Sequence, residues 1–491
     1  MSSSDEKNDG LNTSILRQVL VATAVALNSA AAGTHTTIPA VLIPALSSNT
    51  SQPYLSETQS TWFASMHGLS AMVGSVGGGW LVHYLGPRSV LLITSLPHLA
   101  GWVVMSTAPN FAVLMFSRVL VGLCSGISLN ASQVYLGEAA SPELRGRLVC
   151  LSGLLNSFGC LLSYIAGYLF PWRWVPLAPI AFFVLPGMIS ILFGVPESPY
   201  WLMVRHKKHQ ALKSLTRLRD NQELAKRELE LLSGHIESQQ PPLGLQQIIG
   251  QIRQVTVLAP LLSLCALFVC RVFSGIMPLM VYTVSIFEQL GAGPGNAMVN
   301  AYESAVIIGV VRLLNSIASV LYVSDRFGRR PLLMVSGIMC CAATTFLGCF
   351  LLLRHHRSDW MVWSYLGWLP LFLMVLFLMS FDQGFARTGW VLQSELLPTR
   401  VRSAFSGLTV CTHFTSSFVS VLIFPSLLIH ITIGGVFLFF SLFSFAGTLI
   451  VFLLIPETKH KRLEEIEDFY NKRFGRKLCH CHEEDSQDTK L

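Results

Sequence analysis

The stretch 381–402 places ionisable side chains in a sequence that is otherwise strongly apolar. Within it, Asp382 and Arg387 lie five residues apart, close to Gly384 and Trp390. A charge at bilayer depth is costly, so it usually faces a cavity or a partner and marks a substrate path. We interpret Asp382 and Arg387 as candidate substrate contacts. The alternative is a buried ion pair that only fixes two helices.

The composition of the chain indicates a polytopic membrane protein. Of 491 residues, 52% are hydrophobic and only 12% are charged, which is far from the balance of soluble domains. The net charge of +7 comes from 34 Lys and Arg in short runs between apolar stretches. Because these runs do not cluster on one face, we predict no nucleic-acid partner; they mark membrane topology instead.

Apolar stretches of about 20 residues, the length that spans a bilayer as helix, recur along the chain. We place them near 19–46, 59–83, 88–108, 110–137, 148–170, 174–195, 256–287, 297–323, 331–353, 362–394, 403–428 and 432–455. The pattern predicts an all-α membrane protein with twelve transmembrane helices. Two bundles of six helices would occupy 19–196 and 255–455.

The polar segments between and around these bundles predict the orientation. The linker 197–254 is rich in Lys and Arg, so the positive-inside rule places it in the cytoplasm, together with the N-terminus 1–18 and the tail 456–491. Ser198 followed by Pro199 predicts a helix start, and we expect short amphipathic linker helices. Asn49 begins a sequon in the first predicted outer loop, which makes it a glycosylation candidate.

Three short motifs occur once in each half and in the same order. The pairs are Glu138 and Arg145 with Glu395 and Arg402, Gly86-Pro87-Arg88 with Gly328-Arg329-Arg330, and Pro196-Glu197-Ser198 with Pro456-Glu457-Thr458. Such a duplication predicts two parallel six-helix repeats that enclose a cavity and give alternating access by rocking.

These residues resemble the sugar-porter family of the major facilitator superfamily, closest to its insect trehalose-facilitator and glucose-facilitator branches. The resemblance runs from about Arg17 to Phe474. It is carried by Arg118-x-x-x-Gly122, Val134-Tyr135-Leu136-x-Glu138, Arg145-Gly146-Arg147, PESPYW at 196–201, FSGI at 273–276, Asp325-Arg326-x-Gly328-Arg329-Arg330, Gly384 with Trp390 and Glu395, and PETKHK at 456–461. It implies a carrier of a small polar solute in a lipid bilayer, the plasma membrane by family expectation.

The resemblance also implies a network of helix-end charges that latches the inner gate. Its members here are Glu138, Arg145, Asp325, Arg326, Arg329, Arg330, Glu395 and Arg402. Exposed ion pairs are individually weak, about 0–1 kcal/mol, so several are needed to bias an equilibrium. The alternative is that these charges only follow the membrane topology.

The residues that should hold a sugar depart from the family pattern. Family glutamines and asparagines, which donate and accept hydrogen bonds, are replaced by Gly153, Arg271, Val272, Met277, Arg312 and His413. Tyr282, Phe381 and Trp390 keep aromatic surfaces, and Asp382 stands where the glucose facilitators have Glu. Arg387 occupies a position that is usually Pro.

Three arginines facing one cavity would favour an anion, because guanidinium groups bind carboxylates and phosphates in bidentate fashion. An organic-anion or modified-sugar carrier is therefore an alternative to an ordinary sugar carrier. Pairing of Arg271 or Arg312 with Asp382 is an equal alternative. A third hypothesis, from another class, is a transporter-like sensor that binds ligand without moving it.

The sequence predicts no enzyme, no metal site and no cofactor. The run Cys479-His480-Cys481-His482 lacks the spacing of a formed zinc site, and no phosphate-binding glycine loop or nucleophile elbow occurs. Protons are a candidate coupling ion. Glu303 could carry them, but its place near a helix end favours a surface acid.

Overall fold

The computed structural model describes residues 3–47, 53–141, 144–238, 254–291, 300–320, 328–356, 366–397, 402–459, 461 and 463–475. Within these ranges all regular structure is helical. The chain forms two compact units, Met1–Gln240 with Leu279–Val320 and Pro241–Pro278 with Leu321–Leu491. The predicted residues Asn49, Asp325 and Arg326 lie outside the described residues, as do the side chains of Arg145 and Arg402.

The first unit is built from long apolar helices. They are α1 (Ser3–Leu46), α2 (Glu57–Leu85), α3 (Pro87–Thr107), α4 (Phe111–Ala139), α5 (Arg145–Leu169) and α6 (Leu185–Phe193), the last preceded by a 3-10 turn at Val175–Leu177 and a π turn at Ile180–Val184. The side chain of Ser56 caps α2, and that of Asn110 caps α4. Such caps satisfy amides that a helix start leaves open.

Helices α1 and α5 of this unit approach closely at two glycines. A Cβ atom on Gly33 would lie 2.1 Å from the Asn156 carbonyl oxygen, and one on Gly159 would lie 1.8 Å from that of Ala30. Small residues let two backbones meet in this way, which is how membrane helices gain packing energy.

Three short helices occupy the segment after α6. They are α7 (Pro199–Val204), α8 (Lys208–Arg219) and α9 (Gln222–Ser238), and they share a small core around Leu202, Leu215 and Leu229. Arg219 connects them to the bundle, because it donates to the Ala139 carbonyl at the end of α4 over 3.0 Å and binds both oxygens of Glu228 over 2.8 Å.

The second unit contains α10 (Val255–Phe273), α14 (Arg329–His356), α15 (Leu369–Gln383), α16 (Phe385–Leu396), α17 (Arg402–Leu454) and α18 (Leu463–Tyr470). In sequence, α11 (Ile276–Val281) crosses the border between the units, and α12 (Thr283–Gly291) and α13 (Ala301–Ala318) belong to the first unit.

Backbone breaks interrupt several of the predicted spans. Gly275, with φ +101°, separates α10 from α11, and Gly384 separates α15 from α16. Thr432, with φ 61° and ψ 164°, bends α17 into two helices. The predicted spans 256–287 and 362–394 are therefore not single straight helices.

Ten of the described stretches are long and apolar enough to cross a membrane. One of them, Phe405–Leu454, has 50 residues and would be about 75 Å long as a straight helix, more than twice the thickness of a bilayer core. The chain is therefore a multi-pass membrane protein. The count of twelve spans stays a prediction.

Candidate functional site

An aromatic cluster surrounds the guanidinium of Arg271 in the second unit. The Cζ atom of Arg271 lies 5.3 Å from the ring centroids of Phe268 and Trp390 and 5.9 Å from that of Phe381. Cation–π contacts at such distances are worth about 0.5–2 kcal/mol each. Three aromatic rings therefore lie close to one positive charge in this cluster.

His413 completes this cluster from α17. Its ring centroid lies 5.3 Å from that of Trp390 and 5.8 Å from that of Phe268. Four helices, α10, α15, α16 and α17, thus bring together four residues that the sequence predicted, Arg271, Phe381, Trp390 and His413. Apart from Trp390, which is partly exposed, these side chains are buried.

Two helix breaks lie next to this cluster in sequence. Gly275 follows Arg271 by one turn. Its φ is positive, and a Cβ atom at this position would lie 2.3 Å from the Phe440 ring, so a side chain is excluded by both backbone conformation and space. Gly384 lies between Asp382, which is 4% exposed, and Arg387, which is partly exposed. Non-helical backbone at membrane depth is tolerated where it is buried in protein or lines a cavity.

The two remaining predicted substrate residues, Tyr282 and Arg312, belong to the first unit. Tyr282 is buried between α11 and α12. The Arg312 guanidinium on α13 contacts two sulfur atoms, Met280 Sδ at 2.8 Å and Cys160 Sγ at 3.7 Å. A single cavity shared by Arg271 and Arg312 would involve both units, and it stays a prediction.

Four of the predicted latch residues, Glu138, Arg329, Arg330 and Glu395, take part in a set of carboxylate contacts, a brace, that occurs in each unit. In the first unit, Glu197 accepts hydrogen bonds from the backbone N–H of Arg88 at 3.0 Å, from the Ser89 hydroxyl at 3.0 Å and from the Ser198 N–H at 3.1 Å. The Ser198 hydroxyl donates to Glu138. This set of contacts, the first brace, joins the ends of α3, α4 and α6.

The second unit repeats the arrangement in a second brace. Glu457 accepts from the backbone N–H groups of Arg329, Arg330, Thr458 and Lys459 at 2.9–3.2 Å. The Thr458 hydroxyl donates to Glu395. Burial alone would raise the pKa of Glu457, but the four N–H donors outweigh it and hold that pKa below the usual glutamate value.

Three of the latch residues contact residues of their own unit. Arg329 Nε lies 3.5 Å from Glu395 Oε1, and Arg330 Nη2 donates to the Phe452 carbonyl over 2.7 Å, as Arg88 Nη2 does to that of Leu192 over 3.0 Å. A latch between the two halves stays a prediction.

Three participants were not predicted from the sequence. Phe268 lies three residues before Arg271, so the i, i+3 spacing of one helix face could have predicted their contact. Glu197 and Glu457 stand in the motifs without a predicted role, and nothing in spacing alone predicts that they bind backbone amides. Glu303, predicted as a surface acid, is exposed and accepts from the Tyr168 hydroxyl at 3.3 Å.

A family profile described as "Sugar (and other) transporter" matches residues 16–470. The chain belongs to this sugar transporter family. It is 29% identical over 456 residues to the facilitated trehalose transporter Tret1 of the honeybee Apis mellifera ligustica, covering 92% of this chain and 87% of that protein. It is 31% identical to Tret1 of Drosophila yakuba, where it spans 52% of the relative's length.

The fold of this family member is also similar to that of a protein of known structure. The major facilitator superfamily proton:xylose symporter XylE of E. coli, bound to 6-bromo-6-deoxy-D-glucose, superposes with a TM-score of 0.73 and 22% identity, covering 94% of this chain and 100% of that chain. At this identity the similarity concerns the fold alone. The curated relatives are transporters, so the chain is not an enzyme.

Proposed function

We propose that this member of the sugar transporter family carries a small polar solute of sugar type across a membrane by alternating access. The observation that carries the proposal is the aromatic cluster around Arg271, which adjoins the helix breaks at Gly275 and Gly384. Substrate sites of transporters are typically formed where membrane helices are discontinuous, and aromatic rings offer flat apolar surfaces to a sugar ring.

The repeated braces support the mechanism. Each brace fixes the ends of several helices within its own unit through half-buried carboxylates. Rocking of two halves needs each half to move as a rigid body, and such fixed helix ends favour that behaviour.

Several finer features belong to the same proposal. The chain would cross the plasma membrane twelve times with both termini and the segment 197–254 in the cytoplasm, as the distribution of Lys and Arg favours. The substrate-binding set would comprise Arg271, Tyr282, Arg312, Phe381, Asp382, Arg387, Trp390 and His413. Protons are proposed as a coupling ion.

A second candidate substrate class is favoured by Arg271 itself. A neutral sugar is bound by groups that both donate and accept, whereas a guanidinium only donates. Guanidinium groups bind a carboxylate or phosphate in bidentate geometry. A sugar acid, a sugar phosphate or another organic anion would therefore compete with a neutral sugar.

Uptake into proteoliposomes tests these candidates. Purified protein would be reconstituted and offered labelled trehalose, glucose, glucuronate and glucose 6-phosphate. Saturable uptake of a neutral sugar supports the first candidate, and uptake of an anion alone supports the second. Saturable binding without flux would contradict both and support a sensor.

Paired substitutions sharpen the choice between substrate classes. If the arginines select an anion, R271Q together with R312N should lower anion uptake at least tenfold and raise hexose uptake. Trp368, which is 51% exposed, offers a control, because W368F removes no contact of the Arg271 cluster. Unchanged anion uptake in the double variant would contradict the second candidate.

A further inference from the structure

Helices α1 to α4 of the first unit contribute a cluster of basic side chains that the proposed transport site does not use. His35, His98, Trp102 and Arg118 have 0% of their surface exposed, whereas His67 is partly exposed. The ring centroids of His35 and His67 are 4.7 Å apart, and that of Trp102 lies 5.9 Å from His35. Buried polar groups normally have defined hydrogen-bond partners, so the direction of each bond can be followed.

The hydrogen bonds of this cluster form a chain with one preferred direction. The Thr36 hydroxyl donates to the Ala32 carbonyl at 3.0 Å, so it accepts from His67 Nε2–H at 3.2 Å. The neutral His67 ring then has a lone pair on Nδ1, which accepts from His35 Nδ1–H at 2.8 Å. In the reverse direction, the Thr36 hydroxyl would donate its hydrogen to His67, and its hydrogen bond to the Ala32 carbonyl would be lost.

The direction of this chain leaves a lone pair on His35 Nε2. Among the residues that the structure describes, no hydrogen-bond donor reaches that atom. A neutral imidazole has one donor and one acceptor nitrogen, so His35 presents a buried basic nitrogen at the sealed end of the chain. The other end, His67, is partly exposed and offers a route by which a proton can enter.

Arg118 fixes the backbone around this basic nitrogen. Its Nη1 atom donates to the His35 carbonyl and its Nε atom to the Phe63 carbonyl at 3.2 Å, while its Cζ atom lies 5.1 Å from the Phe63 ring. One side chain of α4 thus holds α1 and α2. In the described part of the chain, the charged and titratable groups that act on His35 are Arg118 on α4, His67 on α2 and His98 on α3, with no carboxylate among them. Helix α5, also packed on α1, contributes the Cys160 thiol at the Gly33 carbonyl.

Protonation is therefore incompatible with the packing of these helices. A cationic His35 would place a second positive charge beside Arg118, and like charges at close range repel strongly away from water. If His67 were also protonated, two N–H groups would face each other across the 2.8 Å contact. Protonation of either histidine therefore destabilises the contacts that join α1, α2 and α4.

We propose that Thr36, His67 and His35 form a proton-binding relay, neutral when Arg118 holds α1 and α2 together and protonated when that contact opens. A proton suits the site better than a larger ligand. A Cβ on Gly122 would lie 3.2 Å from His35 Cε1 and 1.9 Å from the Ser70 hydroxyl oxygen, so the packing is tight, and Arg118 disfavours a metal cation.

The thermal unfolding of the purified full-length protein in detergent, measured from about pH 8 to about pH 5, tests the relay, since imidazoles titrate in this window. The unfolded chain takes up protons there while the packed relay does not, so stability should fall as the pH falls. Hydrogen exchange should rise in parallel around residues 35 and 67. Loss of this acid response in H35N, whose amide keeps a donor toward His67, supports the relay.

Two further variants keep the test decisive. H67Q removes the titratable ring at the partly exposed end of the relay and should also reduce the acid response by half or more, so it tests the relay even if H35N does not fold. H430Q removes an exposed histidine of α17 and should leave the response as in the unmodified protein. A response that is the same in H67Q as in H430Q, or the absence of any acid response, would overturn the proposal.

Discussion

The Glu457 carboxylate accepts a hydrogen bond from the backbone N–H of Arg329 over 2.9 Å, at the start of α14. The same contact occurs between Glu197 and Arg88 over 3.0 Å at the start of α3. A helix start carries free N–H groups and a partial positive charge, so a carboxylate there is stabilising. The duplicated sequence motifs are thus explained by one interaction that both halves share, a carboxylate that binds the N–H groups of a helix start.

Replacing Glu457 by Gln should destabilise the protein. The amide of Gln would turn N–H donors toward N–H donors at some of the four contacts, and a lost hydrogen bond to a charged group costs about 1.5–3 kcal/mol. We expect a lower unfolding midpoint for E457Q in a thermal scan. E465Q, at an exposed glutamate of α18, is the matched control and should unfold like the unmodified protein.

The contribution of Glu457 should also depend on pH in one direction. Its pKa is below the usual glutamate value, with backbone N–H donors overcoming the effect of burial. The contribution is then complete above the usual glutamate pKa, about 4.3, and is lost as the pH falls through the lower pKa of the folded state. The difference in midpoint between the unmodified protein and E457Q should be constant from about pH 7 to pH 5 and shrink below about pH 4; a difference that grows on acidification would contradict this account.

Gly384→Ala should disturb the junction of α15 and α16. The new Cβ would lie 2.2 Å from the Ser336 Cβ and 2.8 Å from the Leu332 carbonyl oxygen, and overpacking of this kind costs about 1–3 kcal/mol. We expect a lower unfolding midpoint and reduced uptake in proteoliposomes. A Cβ on Gly407 of α17 would meet nothing within 4 Å, so G407A should equal or exceed the stability of the unmodified protein, because Ala favours helix. Equal midpoints for both variants would show that the junction tolerates a side chain.

Phe268→Leu should remove one of the cation–π contacts that position the Arg271 side chain. The substitution keeps an apolar side chain but removes the ring 5.3 Å from the guanidinium, a loss of about 0.5–2 kcal/mol. Uptake by F268L should change in apparent affinity, since the orientation of Arg271 is altered. Phe273 lies on the same helix and stacks on Phe443 at 5.0 Å rather than on Arg271, so F273L serves as the control. An identical change in both variants would mean that Phe268 acts only through packing.

The sequence predicted the helical membrane fold because a bilayer imposes length and apolarity on every span. It also predicted that Arg271, Phe381, Trp390 and His413 belong together, although α10 is far from α15, α16 and α17 in sequence. That prediction came from the family resemblance, since no spacing rule connects residues on different helices.

The breaks and the braces could not be predicted in the same way. Gly275 and Gly384 can be read from the sequence, but a glycine in an apolar stretch is compatible with a straight helix, with close helix packing or with a helix break. Likewise Glu197 and Glu457 are near helix ends, where a carboxylate can face water, an arginine or backbone amides. Only the arrangement of the neighbouring helix start decides among these.

The bend at Thr432 has a consequence for how this protein can be altered. A single exposed residue with positive φ, costly for a β-branched side chain, makes the whole turn between two apolar helices, so there is no loop to lengthen. Epitope tags, protease sites or evolutionary insertions would have to unwind helix at this corner. The exposed turn at 205–207 between α7 and α8 can take them without unwinding either helix, since exposed turns tolerate insertion.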